Sequence, residues 1–420
     1  MTELQEILPS ELARYSSPKS VQSTVLGFQR RRINGTNTTS LATDGQQVIN
    51  FTLNGPEFID PSSVYLHYDL VSTVNNAHAN GQVVNMSWPC MIPFESSIQR
   101  SKGTEISRIS RRLGELKHLL MKTSTETSVQ TKLLKNYVGL DETQASASIA
   151  TDTPTANTAR PVLWHQVLNG VFTAKEFLNL DKFPLELEYT MKSLSQIQTF
   201  ASATGVTNAA DGSVTIVALN NIYLSANYVE VDPSFSQAFQ AFLRKTTGGE
   251  QASFSLHLGN YHINEATLAA GENNISLPMV VSDLRYVMCL VHKNAVQGAA
   301  PAIFKSVGTN YTGHQITANS KYYPSYRTTS RQEAYFLMQE TWNHTRHWIG
   351  TQTDVEYRDT MFVICQDFER SPGLIRSGIP VNNSLQLSVT FSVDPVATMI
   401  SFGQYEAIVQ IYDSGVVMTK

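Results

Sequence analysis

Two histidines lie close together in residues 342–348, a segment with a tryptophan at each end. His344 and His347 are three positions apart, a spacing that on a helix could bind one metal ion. No glutamate stands beside them in a metalloprotease arrangement, and no cysteine lies nearby. Because histidines flanked by aromatic residues are more often packed or hydrogen-bonded than metal-bound, we interpret both as structural. His257 and His262 are interpreted in the same way.

Paired carboxylates are the other candidates for chemistry. Glu186 and Glu188 lie two apart in a predicted strand, and Asp367 and Glu369 lie two apart near a strand end. Each pair would project from one sheet face, whereas glycoside hydrolysis needs two carboxylates facing each other across a cleft. No nucleophile elbow, phosphate-binding loop, dinucleotide fingerprint or Cys-x-x-Cys is present. The sequence therefore predicts a non-enzymatic protein without catalytic, cofactor-binding or metal-binding residues.

Basic residues are concentrated in two places. Residues 100–135 hold nine Lys and Arg side chains against three Glu, which leaves three interpretations open. The stretch could meet nucleic acid or an acidic patch on a partner subunit, or it could be a solvated helix face, which the pattern favours. Arg30, Arg31 and Arg32 could touch a polyanion, but a solvated cluster or a contact with a neighbouring subunit is favoured.

The composition indicates a folded protein with a weakly charged surface. Hydrophobic residues make up 41% and charged residues only 16%, against about 25% charged in typical proteins. Such a surface suits extensive contact with other subunits, although a compositional habit of the source organism would give the same figures. The net charge of −4 gives no global basic field, so no sequence-specific nucleic-acid binding is expected.

The cysteines and the first residues indicate the compartment in which the protein is made. Cys90, Cys289 and Cys365 are odd in number and far apart, which is typical of buried thiols in a reducing compartment. The first residues lack the basic and apolar regions of a signal peptide, and no window approaches the ~18 apolar residues of a membrane span. We therefore expect synthesis in a reducing cell interior and no membrane span.

One short helix divides the chain into two similar halves. Residues 232–245 place Phe235, Phe239 and Phe242 at helical spacing behind Pro233. On each side the order is strands, one amphipathic helix (residues 113–137 and 331–342), then more strands. The pattern predicts an all-β fold of two consecutive antiparallel jelly-roll sandwiches with short helices in the loops.

The predicted boundaries follow from this repetition. We expect an N-terminal arm over residues 1–45, a first jelly roll over 46–232, a linking helix over 233–249 and a second jelly roll over 250–420. The arm's composition cannot form a core of its own, so we expect it to serve assembly. The predicted strands cover residues 48–53, 64–71, 106–109, 162–172, 185–191, 214–219, 222–231, 254–258, 261–268, 275–277, 286–291, 361–366, 385–393 and 407–412.

Several segments, read in order, resemble the double jelly-roll major capsid proteins of double-stranded DNA viruses, of the virophage and polinton-like type. The motifs that carry the resemblance lie at residues 49–53, 57–66, 181–189, 221–224, 320–325, 333–336, 362–364, 367–370, 377–379, 385–387, 405–407 and 410–412. The chain departs from the family at residues 86–93, where relatives often carry a more hydrophobic segment and a Tyr-rich turn.

The resemblance implies a structural role in the virion. It implies a self-assembling subunit whose homotrimers form pseudo-hexagonal capsomers, which tile an icosahedral shell around the genome together with penton and minor capsid proteins. An alternative is a two-sandwich glycan-binding viral surface protein, in which Trp342 and Trp348 would stack on sugars.

Overall fold

The computed structural model describes the chain in segments. They are residues 25–74, 83–87, 93–124, 148–150, 160–165, 169–193, 199–202, 214–244, 246–247, 250–293, 308–342, 357, 362–369 and 378–419.

The first half is built from strands with one helix. The strands are β1 (Val25–Asn34), β2 (Leu41–Ala42), β3 (Val48–Leu53), β4 (Phe58–Ile59), β5 (Tyr65–Val74), β6 (Val83–Ser87), β7 (Phe94–Ser101), β8 (Thr104–Ile109), β9 (Ser148–Ala150), β10 (Arg160–His165), β11 (Leu178–Asn179), β12 (Leu185–Met191), β13 (Thr199–Ser202) and β14 (Val214–Val231). Helix α1 (Leu113–Ser124) follows β8, and 3₁₀ turns lie at Pro61–Ser63 and Val171–Thr173.

The second half follows helix α2 (Pro233–Leu243). Its strands are β15 (Thr246–Thr247), β16 (Glu250–Gln251), β17 (Phe254–Thr267), β18 (Gly271–Ser276), β19 (Val280–Lys293), β20 (Tyr311–Ala318), β21 (Lys321–Thr328), β22 (Val363–Asp367), β23 (Ile379–Asn382), β24 (Gln386–Phe391), β25 (Ala397–Ile411) and β26 (Val416–Thr419). Helix α3 (Arg331–Thr341) follows β21.

Each half contains a larger and a smaller antiparallel sheet, and the four main strands of each sheet correspond between the two halves. The larger sheets share the orders β1-β14-β5-β10 and β17-β25-β19-β22, and the smaller sheets run β3-β12-β7-β8 and β18-β24-β20-β21. In each half a helix follows the last strand of the smaller sheet, α1 after β8 and α3 after β21. The prediction of two consecutive antiparallel jelly-roll sandwiches is confirmed.

Alternating burial explains why these segments form half-buried strands. In β12, Leu185, Leu187 and Tyr189 point into the core, whereas Glu186 and Glu188 point away from it. Strand β25 differs because it is buried almost continuously, which indicates cover on both of its faces. One buried apolar cluster runs through both halves of the chain.

Helix α2 joins the two halves, but it ends at Leu243, whereas the linking helix was predicted over residues 233–249, a range that also holds β15. Pro233 stands at its first turn and the Asp232 side chain accepts a hydrogen bond from the Ser234 amide at 2.8 Å. Phe239 contacts Phe58 in the first half and Phe254 in the second, with ring centroids 5.8 and 6.3 Å apart. The aromatic residues of the helix therefore connect one roll to the other.

Several predicted boundaries need correction. Residues 214–231 form one strand where two were predicted, because Asn221 at φ 52° makes a local shift of register without ending β14. Of the strand predicted over residues 162–172, the structure describes β10 as far as His165, residues 166–168 lie outside the described residues, and Val171–Thr173 is a 3₁₀ turn. Helix α1 ends at Ser124 in the described residues, and residues 125–137 of its predicted range lie outside them.

The described part of the predicted arm is a strand. Residues 25–34 form β1, which pairs antiparallel with β14 from Val25↔Val231 to Asn34↔Tyr223. The three arginines fit this strand because their guanidinium groups lie over tyrosine rings of the sheet. The arm predicted over residues 1–45 is corrected accordingly from residue 25 onward, while residues 1–24 lie outside the described residues.

Candidate functional site

The two rolls meet along a contact that we call the junction, formed by β8 and residues 169–173 of the first roll against β17 and β26 of the second. The Gly170 amide donates to the Gly259 carbonyl at 2.6 Å, and the Gly259 amide donates to the Thr173 hydroxyl at 2.7 Å. Asn260 donates from Nδ2 to the Ile106 carbonyl at 3.2 Å. Backbone of one roll thus pairs directly with backbone of the other.

Buried polar side chains stabilise the conformation of residues 169–173, the first-roll side of the junction. Gln99 Oε1 accepts from the Val171 amide at 2.9 Å, and Asn169 Nδ2 donates to Ser107 Oγ at 2.8 Å. Gly170 has φ 55°, and a side chain there would overlap those of Gln99 and Ser107. Only glycine therefore satisfies both the left-handed backbone and the close approach.

Ion pairs cross the junction at both of its ends. Lys182 Nζ lies 2.7 Å from Asp413 Oδ1, and this hydrogen bond raises the pKa of Lys182. At the other end, Arg112 Nε lies 3.0 Å from Glu265 Oε1, with Arg111 3.5 Å from the same oxygen. First-roll cations thus meet second-roll carboxylates.

A buried ion pair lies next to the end of the junction that contains Arg111 and Arg112. Lys192, just after β12, places Nζ 2.8 Å from Glu115 Oε1 at the start of α1, with side-chain exposures of only 2% and 7%. Arg112 contributes a second cation 3.6 Å from Glu115. Burial alone would raise the pKa of Glu115, but Lys192 and Arg112 outweigh it and lower the pKa. Glu115 therefore stays ionised and bridges two cations.

A second ionic network surrounds Arg285 of β19. Arg285 pairs with Glu406 and lies 3.5 Å from Glu369 and 3.8 Å from Asp283. His257 Nδ1 lies 2.6 Å from Glu406 Oε1, so this histidine is engaged in a structural pair.

The carboxylate pairs do not face each other across a cleft. Glu188 pairs with Arg100 on the neighbouring strand at 3.0 Å, while Glu186 is exposed. Asp367 accepts from the Glu369 amide at 2.8 Å, and burial, with Glu369 and Glu340 nearby, raises the pKa of Asp367 to about 6.

The remaining candidate residues are either at least half-buried or lie outside the described residues. Trp342 is half-buried against Tyr286, with ring centroids 5.1 Å apart. Cys289 and Cys365 are buried, and burial raises the pKa of the Cys289 thiol to about 12. His344, His347, Trp348 and Cys90 lie outside the described residues.

The basic stretch is largely neutralised within the chain where it is described. Arg100, Arg108, Arg111 and Arg112 each lie within 4.0 Å of a carboxylate oxygen. The favoured interpretation as a solvated helix face is therefore wrong for Arg112, which serves the junction. Residues 125–135 lie outside the described residues.

The arginines of β1 lie over tyrosine rings on both faces of the larger first-roll sheet, Arg30 and Arg32 on one face and Arg31 on the other. The guanidinium carbons of Arg30, Arg31 and Arg32 stand 5.1, 4.6 and 4.0 Å from the ring centroids of Tyr65, Tyr228 and Tyr223. Tyr223 is in turn stacked on His67 at 4.4 Å. Burial, then Arg30 and Arg32, lowers the pKa of His67 to about 4.

Sequence reasoning missed two exposed apolar surfaces. Leu26 and Phe28 on β1, and Tyr322, Tyr326 and Phe336 on β21 and α3, are each 53–60% exposed. Their aromatic content was visible in the sequence, but only the fold shows that they lie on outer faces.

The described segments lack two other kinds of feature. They contain no cluster of three or more His, Cys, Asp or Glu side chains able to hold a metal ion. No helix among them is long and apolar enough to cross a membrane.

Comparison with solved structures decides the fold. The chain is similar to the PBCV-1 virus capsid protein, with 9% identity and a TM-score of 0.63 over 97% of this chain and 99% of that one. It is also similar to the Sputnik virophage protein solved by cryo-EM (13% identity, TM-score 0.60, 96% and 90% covered). The Faustovirus major capsid protein gives 9% identity, a TM-score of 0.56, and 94% and 92% covered.

The chain has the double jelly-roll fold. The similarity runs through both rolls of this double jelly-roll chain and nearly the full length of the three solved proteins. No family model matches the sequence, and no curated protein matches it. The geometry is therefore shared even though few residues are.

Proposed function

We propose that this chain is the major capsid protein of a double-stranded DNA virus, a structural subunit without enzymatic activity. Its homotrimers form pseudo-hexagonal capsomers, and these tile an icosahedral shell that encloses the genome without reading its sequence. Penton and minor capsid proteins complete the shell, and the chain resides in the virion after synthesis in the host cell interior. Residues 1–24 act as an assembly element.

The observation that carries the proposal is the end-to-end similarity to capsid proteins, which covers both rolls and extends over 90% or more of each solved chain. The weakly charged surface, with 16% charged residues, supports extensive subunit contacts. The junction also supports the proposal, because backbone pairing and crossing ion pairs lock two rolls into one rigid tile.

The test is light scattering coupled to size exclusion, followed by negative-stain imaging of the main peak. We expect a particle of three 46.6 kDa subunits with a hexagonal outline. A particle of one subunit's mass at every concentration, with no shells on expression in a host cell, would refute the proposal. Glycan binding by such a monomer would favour a viral surface protein instead.

A further inference from the structure

Two of the three arginines on β1 carry charges that no carboxylate of the described residues offsets. Arg31 Nη1 lies 2.7 Å from Glu57 Oε1, but among the residues that the structure describes no carboxylate oxygen lies within 4.0 Å of Arg30 or Arg32. On their face of the sheet, Asp69 Oδ2 instead accepts a hydrogen bond from an asparagine side chain at 2.6 Å. Several other arginines do have a carboxylate partner: Arg100, Arg108, Arg111, Arg112, Arg285 and Arg327.

The two unpaired arginines lie side by side. Arg30 and Arg32 are two residues apart on β1, so their side chains leave the same face of the sheet and their Cα atoms are about 7 Å apart. The guanidinium of Arg30 lies over the ring of Tyr65, and that of Arg32 lies over the ring of Tyr223. One tetrahedral anion placed between them can therefore accept hydrogen bonds from both.

Neutral groups hold the two guanidinium groups in place without reducing their charge. Arg30 donates from Nη1 to Asn227 Oδ1 at 3.3 Å and from Nη2 to Ser225 Oγ at 2.6 Å. Arg32 donates from Nε to Asn34 Oδ1 at 2.9 Å. Because a guanidinium carries five N–H donors, these three bonds leave most of the donors of both groups for a ligand. Groups that are already ordered lose less entropy when a ligand binds.

The neighbouring histidine indicates that the charge at this face is positive. His67 on β5 places Nε2 2.6 Å from Ser225 Oγ, the same hydroxyl that accepts from Arg30. Burial, followed by the charges of Arg30 and Arg32, lowers the pKa of His67 to about 4. The imidazole is therefore neutral at pH 7, and the two arginines remain the cations of the cluster.

We propose that Arg30 and Arg32 form an anion-binding site that takes a phosphate-type dianion between their guanidinium groups. One dianion balances both charges, whereas a carboxylate balances only one. Phosphate oxygens also accept in pairs from the forked donors of arginine, a geometry that a single lysine ammonium does not match. Both arginines belong to one chain, so binding does not depend on the proposed assembly.

The decisive experiment is calorimetric titration of the full chain with inorganic phosphate at about pH 8, with the ionic strength held constant by chloride. We expect one saturable site per chain, and acetate should bind about tenfold more weakly. Arg30→Gln and Arg32→Gln should each weaken phosphate binding by about tenfold, because each removes charge-assisted hydrogen bonds.

The third arginine of the strand provides the matched control. Arg31→Gln removes the same charge from the same strand, but from the opposite face, where Glu57 already pairs with it. It should change the dissociation constant by less than about twofold, because the remaining long-range effect is screened by salt. Equal weakening by Arg30→Gln and Arg31→Gln would overturn the inference, as would the absence of saturable phosphate binding to the wild-type chain.

His67 provides a second measurement on the wild-type chain. A bound dianion offsets the charges of Arg30 and Arg32, so phosphate should raise the pKa of His67 towards the ordinary value of a histidine. The pKa is followed by NMR of labelled histidine, with the signal assigned from His67→Gln, and an unchanged pKa at saturating phosphate would contradict the site.

Competition identifies the source of the phosphate. A short oligothymidylate that displaces inorganic phosphate from the wild-type chain, but does so poorly from Arg32→Gln, would assign the site to a nucleic-acid phosphodiester. An oligothymidylate without effect on phosphate binding would assign it to a free phosphate. Trimer formation is measured separately, so failure of the anion site leaves the proposed function intact.

Discussion

The buried pair between Lys192 and Glu115 can be tested by removing one partner. Lys192→Met leaves Glu115 ionised in a site where its side chain is 7% exposed. Breaking a buried pair by removing one charge costs about 3–5 kcal/mol. Arg112 stays 3.6 Å from Glu115 and still compensates part of its charge. We therefore expect a loss near the low end of that range, about 3 kcal/mol.

The expected loss of unfolding free energy corresponds to a decrease in the melting temperature. Unfolding entropy is about 2 cal/mol/K per residue, which gives roughly 0.9 kcal/mol/K for a chain of this length. Because the apolar cluster and the ion pairs of the junction join the two rolls, we treat unfolding of the whole chain as a single transition. A loss of about 3 kcal/mol then lowers the Tm by about 3–4 °C in differential scanning calorimetry.

Two comparisons show whether the unpaired charge is the cause. Arg108→Met removes a cation from the exposed pair with Glu105, whose side chains are 56% and 40% exposed, and should change the Tm by about 1 °C or less. The double variant Glu115→Leu with Lys192→Met removes both charges and should recover most of the loss. A double variant that melts as low as Lys192→Met alone would refute the reasoning.

Two further predictions concern glycine geometry and pH. Gly170→Ala should lower the free energy of unfolding by about 2–4 kcal/mol, because it adds overlap with Gln99 and Ser107 to the cost of a left-handed φ. Gly271→Ala is the control: at φ 88° with open space around it, it should lower the free energy of unfolding by only about 1 kcal/mol. Equal losses in urea unfolding would contradict this. Asp367 has a folded pKa of about 6, above its unfolded value, so its ionised form opposes folding fully above pH 6 and progressively less as the pH falls towards 4. Asp367→Asn should therefore raise the Tm at pH 8 and by much less at pH 4, and an equal gain at both would contradict the cause.

Local patterns predicted the elements whose burial alternates or whose ends are capped. Leu185, Leu187 and Tyr189 alternate with Glu186 and Glu188, so β12 could be predicted within its observed bounds. Helix α2 was predictable in the same way, because Asp232 and Pro233 mark its start. These signals are local, so no knowledge of the fold was needed.

Such local patterns could not predict the long strands or the junction. Two strands were predicted on either side of Asn221, but its left-handed φ only shifts the register of one continuous β14. Strand β25 shows no alternation along most of its length, because both of its faces are covered. Arg112 belongs to a helix start in the sequence, and only the fold brings it to Glu265, 153 positions away.

The order of synthesis gives the junction a further consequence. Lys182 and its partner Asp413 are 231 positions apart. At a synthesis rate of about 5–20 residues per second, Asp413 is therefore added to the chain about 12–46 s after Lys182. During that interval the first roll's β8 surface, with its buried isoleucines and cations, has no second roll from its own chain to cover it. A neighbouring chain whose second roll has just emerged and has not yet closed its own junction offers a matching β17 surface, so a crowded polysome can join the wrong halves. Slower initiation or a chaperone that holds the first roll would then raise the yield of correctly closed chains.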